Sequence, residues 1–254
     1  MNEHYRKLIA NEFEKCVTNT IKRISSKKMT YRPFHSALLS EDVIYWSSFE
    51  RSFSTSFGQR VIEELARLVA LSNGADEACR QKETFISIDT AYEDAIQKHL
   101  KMLRNNKTSN AFNWESSLNE VQDVMPTGKF TDTIRIISDV WWKKDGIEHF
   151  LSLKTVKPNI DQTVVAKEDC LHLAVALPDS KTYFGLPYNP YGEDRKAYAF
   201  YPPMNIFDFH NDPVVLIGKD LWDTLGGNGC YKELVDIASE VGKKTRSAIQ
   251  NSRI

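Results

Sequence analysis

Apolar residues recur every three or four positions between 5 and 24, at Leu8, Ile9, Phe13, Val17, Ile21 and Ile24, which predicts an amphipathic helix. A Ser/Lys-rich stretch at 25–30 ends it. A second long helix is predicted over 50–72, with Phe53, Phe57, Val61, Leu65, Leu68 and Val69 along one side and Asn73-Gly74 closing it. The segment 84–88 reads as a short strand and 92–103 as another helix.

The period then changes. Positions 131–143 are β-rich, with Thr133, Ile134, Ile136, Ile137, Val140, Trp141 and Trp142. Asp145-Gly146 follows, a strong short hairpin signal, and 147–154 alternates again. After Pro158-Asn159 a helix is predicted over 161–175. The last third mixes short β-like runs at 182–186, 197–201 and 214–217 with Pro and Gly, and a helical tail starts near 231. Helices and strands interleave, so the expected class is α/β (α+β), a mixed sheet flanked by helices. Residues 1–254 are expected to form one such domain with an N-terminal helical part.

The 254 residues are 41% apolar and 26% charged, which excludes wholesale disorder. No apolar run reaches the ~18 residues of a transmembrane helix, and the N-terminus lacks a signal-peptide core. A cytoplasmic protein without membrane contact is the expectation. Cys16, Cys79, Cys170 and Cys230 are far apart, which argues against a zinc site or a disulfide framework. The net charge is −1, but basic residues cluster at Lys22, Arg23, Lys27, Lys28 and Arg32, at Lys98, Lys101, Arg104 and Lys107, and at Lys243, Lys244 and Arg246. Segregation of charge, not the total, decides whether a face attracts phosphate.

Candidate chemistry follows from the hairpin. A two-residue turn at Asp145-Gly146 sets Lys144 opposite Ile147, and therefore Asp139 opposite Ser152. Lys154 shares the face of Ser152, so Asp139 and Lys154 are diagonal neighbours. A carboxylate and a lysine so placed suit metal-dependent phosphodiester hydrolysis, the acid holding Mg²⁺ and the lysine orienting water and steadying the phosphate. The bland alternative is a structural cross-strand ion pair. On the wheel of 161–175, Glu168 sits amid Val164, Val165, Leu171, His172 and Val175, where a carboxylate needs a partner. In the second helix Glu64 flanks the apolar arc and Glu63 points away, which makes Glu64 the better supporting acid. Lys157, Asn159, Asp161 and Gln162 lie in a donor-rich loop of the kind that contacts phosphates and base edges. Asn189 and Arg195, in and after Tyr188-Asn189-Pro190-Tyr191-Gly192, are further candidates for DNA contact, against the alternative of a tight Pro/Gly turn. His149 and His172 read as satisfied structural histidines.

Asp139…Ser152-x-Lys154 resembles the PD-(D/E)xK nuclease core with serine in place of the second acid. In one branch of type II restriction endonucleases that acid moves to the following helix, and Glu168, fourteen positions after Lys154, fits this pattern. Ser138 stands where the motif name has proline. The wider chain resembles the TdeIII-type restriction endonucleases at 48–59, at 154–162, at 186–192, and at 217–223 with Leu225-Gly226-Gly227. The resemblance implies a restriction–modification enzyme that cleaves a short palindromic double-stranded DNA site, of the GGNCC kind, with Mg²⁺, leaving 5′-phosphates. It implies a homodimer, or a tetramer. Asp139, Glu168 and Glu64 would then hold metal, Lys154 would position water, and Ser152 would bond a metal-bound water. A sequence-unspecific repair or junction nuclease and a non-catalytic DNA-binding module are the rival expectations.

Overall fold

The computed structural model describes residues 1–26, 31–105 and 113–252. Lys27, Lys28 and Lys107 of the basic clusters lie outside the described residues.

Strands β1 (Glu77–Ile86), β2 (Ile134–Lys144), β3 (Ile147–Leu153), β4 (Lys181–Leu186) and β5 (Val215–Ile217) stand side by side in chain order. The steps from β1 to β3 are antiparallel and those from β3 to β5 parallel, so the sheet is mixed. Asp145 and Gly146 take φ of 52° and 78°, the two positive values that a type I′ hairpin turn requires. That turn fixes the expected register, from Lys144 opposite Ile147 to Val140 opposite Leu151. The ladder stops there, one pair short of Asp139 and Ser152. β3 continues along β4 instead, and the Lys154 N–H donates to the Gly185 carbonyl at 3.0 Å.

Helices cover both faces. On one side α1 (Glu3–Ser26), α4 (Gln59–Ser72), α8 (Lys219–Gly226) and α9 (Cys230–Asn251) pack with Val140, Trp142, Leu151 and Leu153 in the main core. α3 (Glu41–Ser56) lies against α1, and the short α2 (Pro33–Leu38) rests on α3. On the other side α5 (Thr90–Arg104), α6 (Trp114–Gln122) and α7 (Ile160–Ala176) pack with Ile86, Ile136, Trp141 and Phe150. α7 is the crossover that a parallel β3–β4 step needs. The loop after β4 folds Tyr198, Phe207 and Phe209 around Phe184 in a third cluster.

Sequence and structure part at four places. The helix predicted over 50–72 is broken at Phe57-Gly58, where Gly58 is extended and caps α4. β1 begins at Glu77 rather than 84, because an edge strand carries polar residues such as Arg80 and Lys82 that hide its period. The run 197–201 is no strand: it follows a 3₁₀ turn at Arg195–Ala197 and meets Pro202-Pro203, which have no N–H to give a ladder. The short helices α2, α6 and α8 were not anticipated.

His149 stacks on Trp142 (4.5 Å between rings) and on Tyr183 (6.0 Å). Burial, with Lys181 and Lys144 nearby, lowers its pKa to about 4. The folded value lies below the unfolded one of about 6.5. Its contribution is therefore fully present above pH 6.5 and is lost as pH falls towards 4. His149→Phe keeps the stack and removes the proton. Across that window its melting temperature should fall less than the wild type's. Parallel pH profiles would remove this role from His149.

Candidate active site

The site is built where β2 and β3 part. Past Val140 the Asp139 side chain takes the place of the missing ladder bonds. Its Oδ2 accepts from the Leu153 N–H at 2.7 Å and from Lys154 Nζ at 3.2 Å. Its Oδ1 accepts from Gln81 Nε2 at 3.2 Å, and the same amide donates to Glu63 Oε1 at 2.8 Å. Asp139 and Glu63 are only 6% and 4% exposed, so two acids and a lysine share a poorly solvated spot. Groups so placed keep their charge only through such partners.

The backbone is distorted here. The pairs Arg80–Val140 and Lys82–Ser138 leave Gln81 opposite Asp139, and Gln81 has φ of 52°. Positive φ without glycine costs of order 1 kcal/mol or more. Strict alternation would put Ile136 and Val140 on one face, yet Ile136 packs with the α5–α7 side and Val140 with the α1–α4 side. β1 switches likewise: Cys79 and Ile86, an odd number apart, pack on the same side. Both strands turn over at Gln81 and Asp139, which brings Glu63 of α4 to the carboxylate of β2.

Lys154 leaves β3 into a cleft of about 460 Å³, walled by Phe53, Phe57, Ile62, Gln162 and Tyr188. The cleft opens at the carboxyl ends of the parallel strands β3 and β4, the usual ligand position in such sheets. Of the two consecutive acids of α7, Asp169 lies in the field of Lys154 and Asp139. Burial chiefly, with Glu168 and Asp139 adding, raises its pKa to about 6, against the pull of His172 and Lys154. Glu168 keeps different company. It accepts from Gln97 at 2.5 Å, and its carboxylate gathers with Glu93 and His172 within 4.8 Å. His172 is itself hydrogen-bonded to Glu93 at 2.6 Å.

The structure thus joins Asp139 and Lys154 as expected, and reverses the two glutamates of α4. Glu63 is the acid beside Asp139. Glu64 lies on the outer stripe of α4 with Arg60 and Arg67. Partial burial pushes its pKa up, but Arg67 at 2.6 Å and Arg80 at 3.1 Å outweigh that and hold it low. The wheel failed because α4 is covered on two sides, by α1 and by the sheet, so its buried surface is wider than its apolar arc. On α7 the buried positions include Thr163, Ala166, Lys167 and Cys170, while Val165 is exposed, so apolar types mislead there too. Ser152 pairs with Phe184 of β4 rather than with Asp139.

The expected DNA-contact residues divide into two groups. Gln162 is exposed and lines the cleft, and Lys157 is exposed with its ammonium 5.4 Å from the Tyr191 ring. The others hold the scaffold. Asn159 caps α7, accepting from the Gln162 N–H at 2.8 Å, and Asp161 pairs with Arg104. Asn189 closes its own loop, accepting from the Tyr191 N–H and donating to the Asp194 carbonyl. Arg195 donates to the carbonyls of Phe209 and Asp212 and reaches Asp220. Sequence reasoning missed Gln81 and Asp169, and it weighed Glu63 but preferred Glu64. Asp169 and Glu63 each stand beside an acid already singled out, and Gln81 carried no signal.

The acids at the fork are oxygen donors of the kind that hard divalent cations take. Comparison with known proteins identifies the family. The sequence model of the family described as "Type II restriction endonuclease, HinfI" matches residues 1–242. Type II restriction enzyme HgiEI of Herpetosiphon aurantiacus is 29% identical over 222 residues, covering 85% of this chain and 79% of that protein. Type II restriction enzyme HgiCII of the same organism is 28% identical over 223 residues, covering 86% and 80%. No solved structure matches.

The strained φ at Gln81 makes a test. Gln81→Gly removes the amide bridge but relieves the backbone. Gln81→Val removes the bridge and puts a β-branched residue at positive φ. The valine variant should be less stable than the glycine variant by about 2 kcal/mol in urea unfolding. Equal stabilities would show that the fork stores no strain.

Proposed function

The chain belongs to the HinfI family of type II restriction endonucleases, its partner is therefore DNA, and on that premise we propose that Asp139 and Lys154 form the hydrolytic centre of a PD-(D/E)xK-type site. The observation that carries this reading is the 3.2 Å contact of Asp139 and Lys154 at the strand fork, beside an open cleft. In this reading the enzyme cuts both strands of a short palindromic site and leaves 5′-phosphates. It acts as a homodimer, so that each copy meets one strand. The TdeIII-type resemblance and a GGNCC-like target belong to the same reading.

Asp139 and an acid of α7 would hold Mg²⁺, Glu168 by its spacing from Lys154 or Asp169 by its position, with Glu63 supporting Asp139 through Gln81. The ion, when bound, supplies Lewis-acid stabilisation of the charge that develops on the phosphate. The chain's own groups do the rest. Lys154, held by Asp139, presents its ammonium at the cleft wall, where it donates to a phosphate oxygen and orients a water in line with the P–O3′ bond. Attack joins the water oxygen to phosphorus and breaks P–O3′, with the water giving a proton to solvent and the departing O3′ taking one up, which leaves a 5′-phosphate and a 3′-hydroxyl. Glu63 and Gln81 fix the carboxylate that fixes the lysine. Lys157 and Gln162 are the free donors best placed to meet DNA, while Asn159, Asp161, Asn189 and Arg195 shape the loops that carry them.

The test is cleavage of phage and plasmid DNA with Mg²⁺ and with EDTA. Discrete fragments that need the cation are expected. Asp139→Asn and Lys154→Ala should each lose on the order of 10³-fold in rate. Glu168→Ala and Asp169→Asn settle which α7 acid matters: the one whose loss abolishes cutting while the protein stays folded. A smear would point to unspecific hydrolysis, and intact DNA in every condition would sink the assignment of the centre.

A further inference from the structure

The strongest unexplained surface lies away from the cleft, on α2 and the start of α3. Within residues 31–46, Tyr31 is 88% exposed, Phe34 80%, Leu38 82%, Leu39 44%, Val43 51% and Trp46 37%. No residue of α2 is buried. A six-residue helix does not stand by its own propensity, and α2, which rests on α3, buries none of its own residues there. The exposed side chains offer on the order of 700 Å², more than the patches usual on a monomer and close to the ~800 Å² per partner of a stable interface.

We propose that this α2–α3 surface is the interface between two copies of the chain. The proposal rests on the reading above that the enzyme acts on both strands of a duplex, which calls for two centres. Charge favours a second copy over other occupants. The same stretch carries the bases Arg32 and His35, which line a groove of about 260 Å³ together with Arg51, and the acids Glu41 and Asp42 in the first turn of α3. A two-fold contact brings the bases of one copy to the acids of the other, so the patch is complementary to itself. Continuity with the site adds to the case. The far end of α3 supplies Phe53 and Ser54 to the cleft that holds Lys154, about 16 Å along the helix from Val43. One helix thus joins the interface to each cleft and sets how far apart two clefts stand.

The test is the solution mass of the full chain by light scattering over a dilution series, for wild type and for the double variant Phe34→Glu/Leu38→Glu. Both side chains are exposed in the single chain, so folding should survive, and circular dichroism checks this. Val235→Glu, 51% exposed on α9, controls for added charge. Wild type and control should run at twice the 29.2 kDa chain mass. The double variant should run as a folded monomer, with the dimer weakened on the order of 10³-fold by four buried carboxylates. At dilute enzyme its DNA cleavage should fall at least about tenfold, since a tenfold loss already follows from 1.4 kcal/mol at the interface. A double variant that remains dimeric, or a wild type that is monomeric at every concentration, would overturn the interface. Loss of the nuclease reading would look different: dimers that respond to the double substitution but cut no DNA.

Discussion

The structure depends on one carboxylate standing in for a pair of backbone hydrogen bonds. A hairpin ladder that ran on past Val140 would pair Asp139 with Ser152 and close the sheet. It does not, because β3 has a second neighbour in β4 and follows it. The orphaned Leu153 N–H must find an acceptor in a dry interior. Asp139 supplies it, and having turned to do so it meets Lys154. The Asp139–Lys154 pair and the end of the ladder are the same event. A neutral acceptor would satisfy the amide, but only a carboxylate satisfies the amide and the ammonium together.

That account explains what the sequence could reveal. The turn residues Asp145 and Gly146 dictate a register by local sterics alone, and a register propagates along both strands without reference to the rest of the chain. Asp139 and Lys154 could be paired on that basis. The helices α1, α5 and α9 were equally legible, since each buries one largely apolar stripe of regular period, whereas the buried face of α7 mixes apolar and polar types. What resisted was everything set by two elements at once. Glu63 owes its burial to the meeting of α4 with a strand that turns over, and no wheel of α4 contains that strand. Gln81 is an unremarkable polar residue in an edge strand until its φ is known. Asp169 and Glu168 are adjacent, and which one faces the pair depends on how α7 rolls on the sheet. α7 is also held by Lys167, fully buried with its ammonium 2.6 Å from the Ile206 carbonyl.

Lys167 also shows how the second layer is held. A buried ammonium costs several kcal/mol unless its donors are met. Here the loop after β4 bends back to offer a carbonyl and the face of Phe207. The same loop takes Arg195, whose guanidinium is spent on two of its carbonyls. Arg195, which a sequence reading assigns to DNA, is in this way consumed in holding the loop after β4. Basic groups occupied as internal donors are not available to the solvent field, whereas Gln162 lines the cleft and Lys157 stands exposed beside the Tyr191 ring.

The two ends of α3 carry the last step. One end walls the cleft with phenylalanines, and the other leaves an apolar surface in water. A monomer gains nothing from that surface and risks aggregation by keeping it. In the proposed dimer that surface would set the distance between two centres. The break at Phe57-Gly58, which defeats the prediction of one helix over 50–72, has a purpose in this light. It frees α3 to point away from the core while α4 stays against the sheet to deliver Glu63. A single unbroken helix could serve the carboxylate or the interface, but not both.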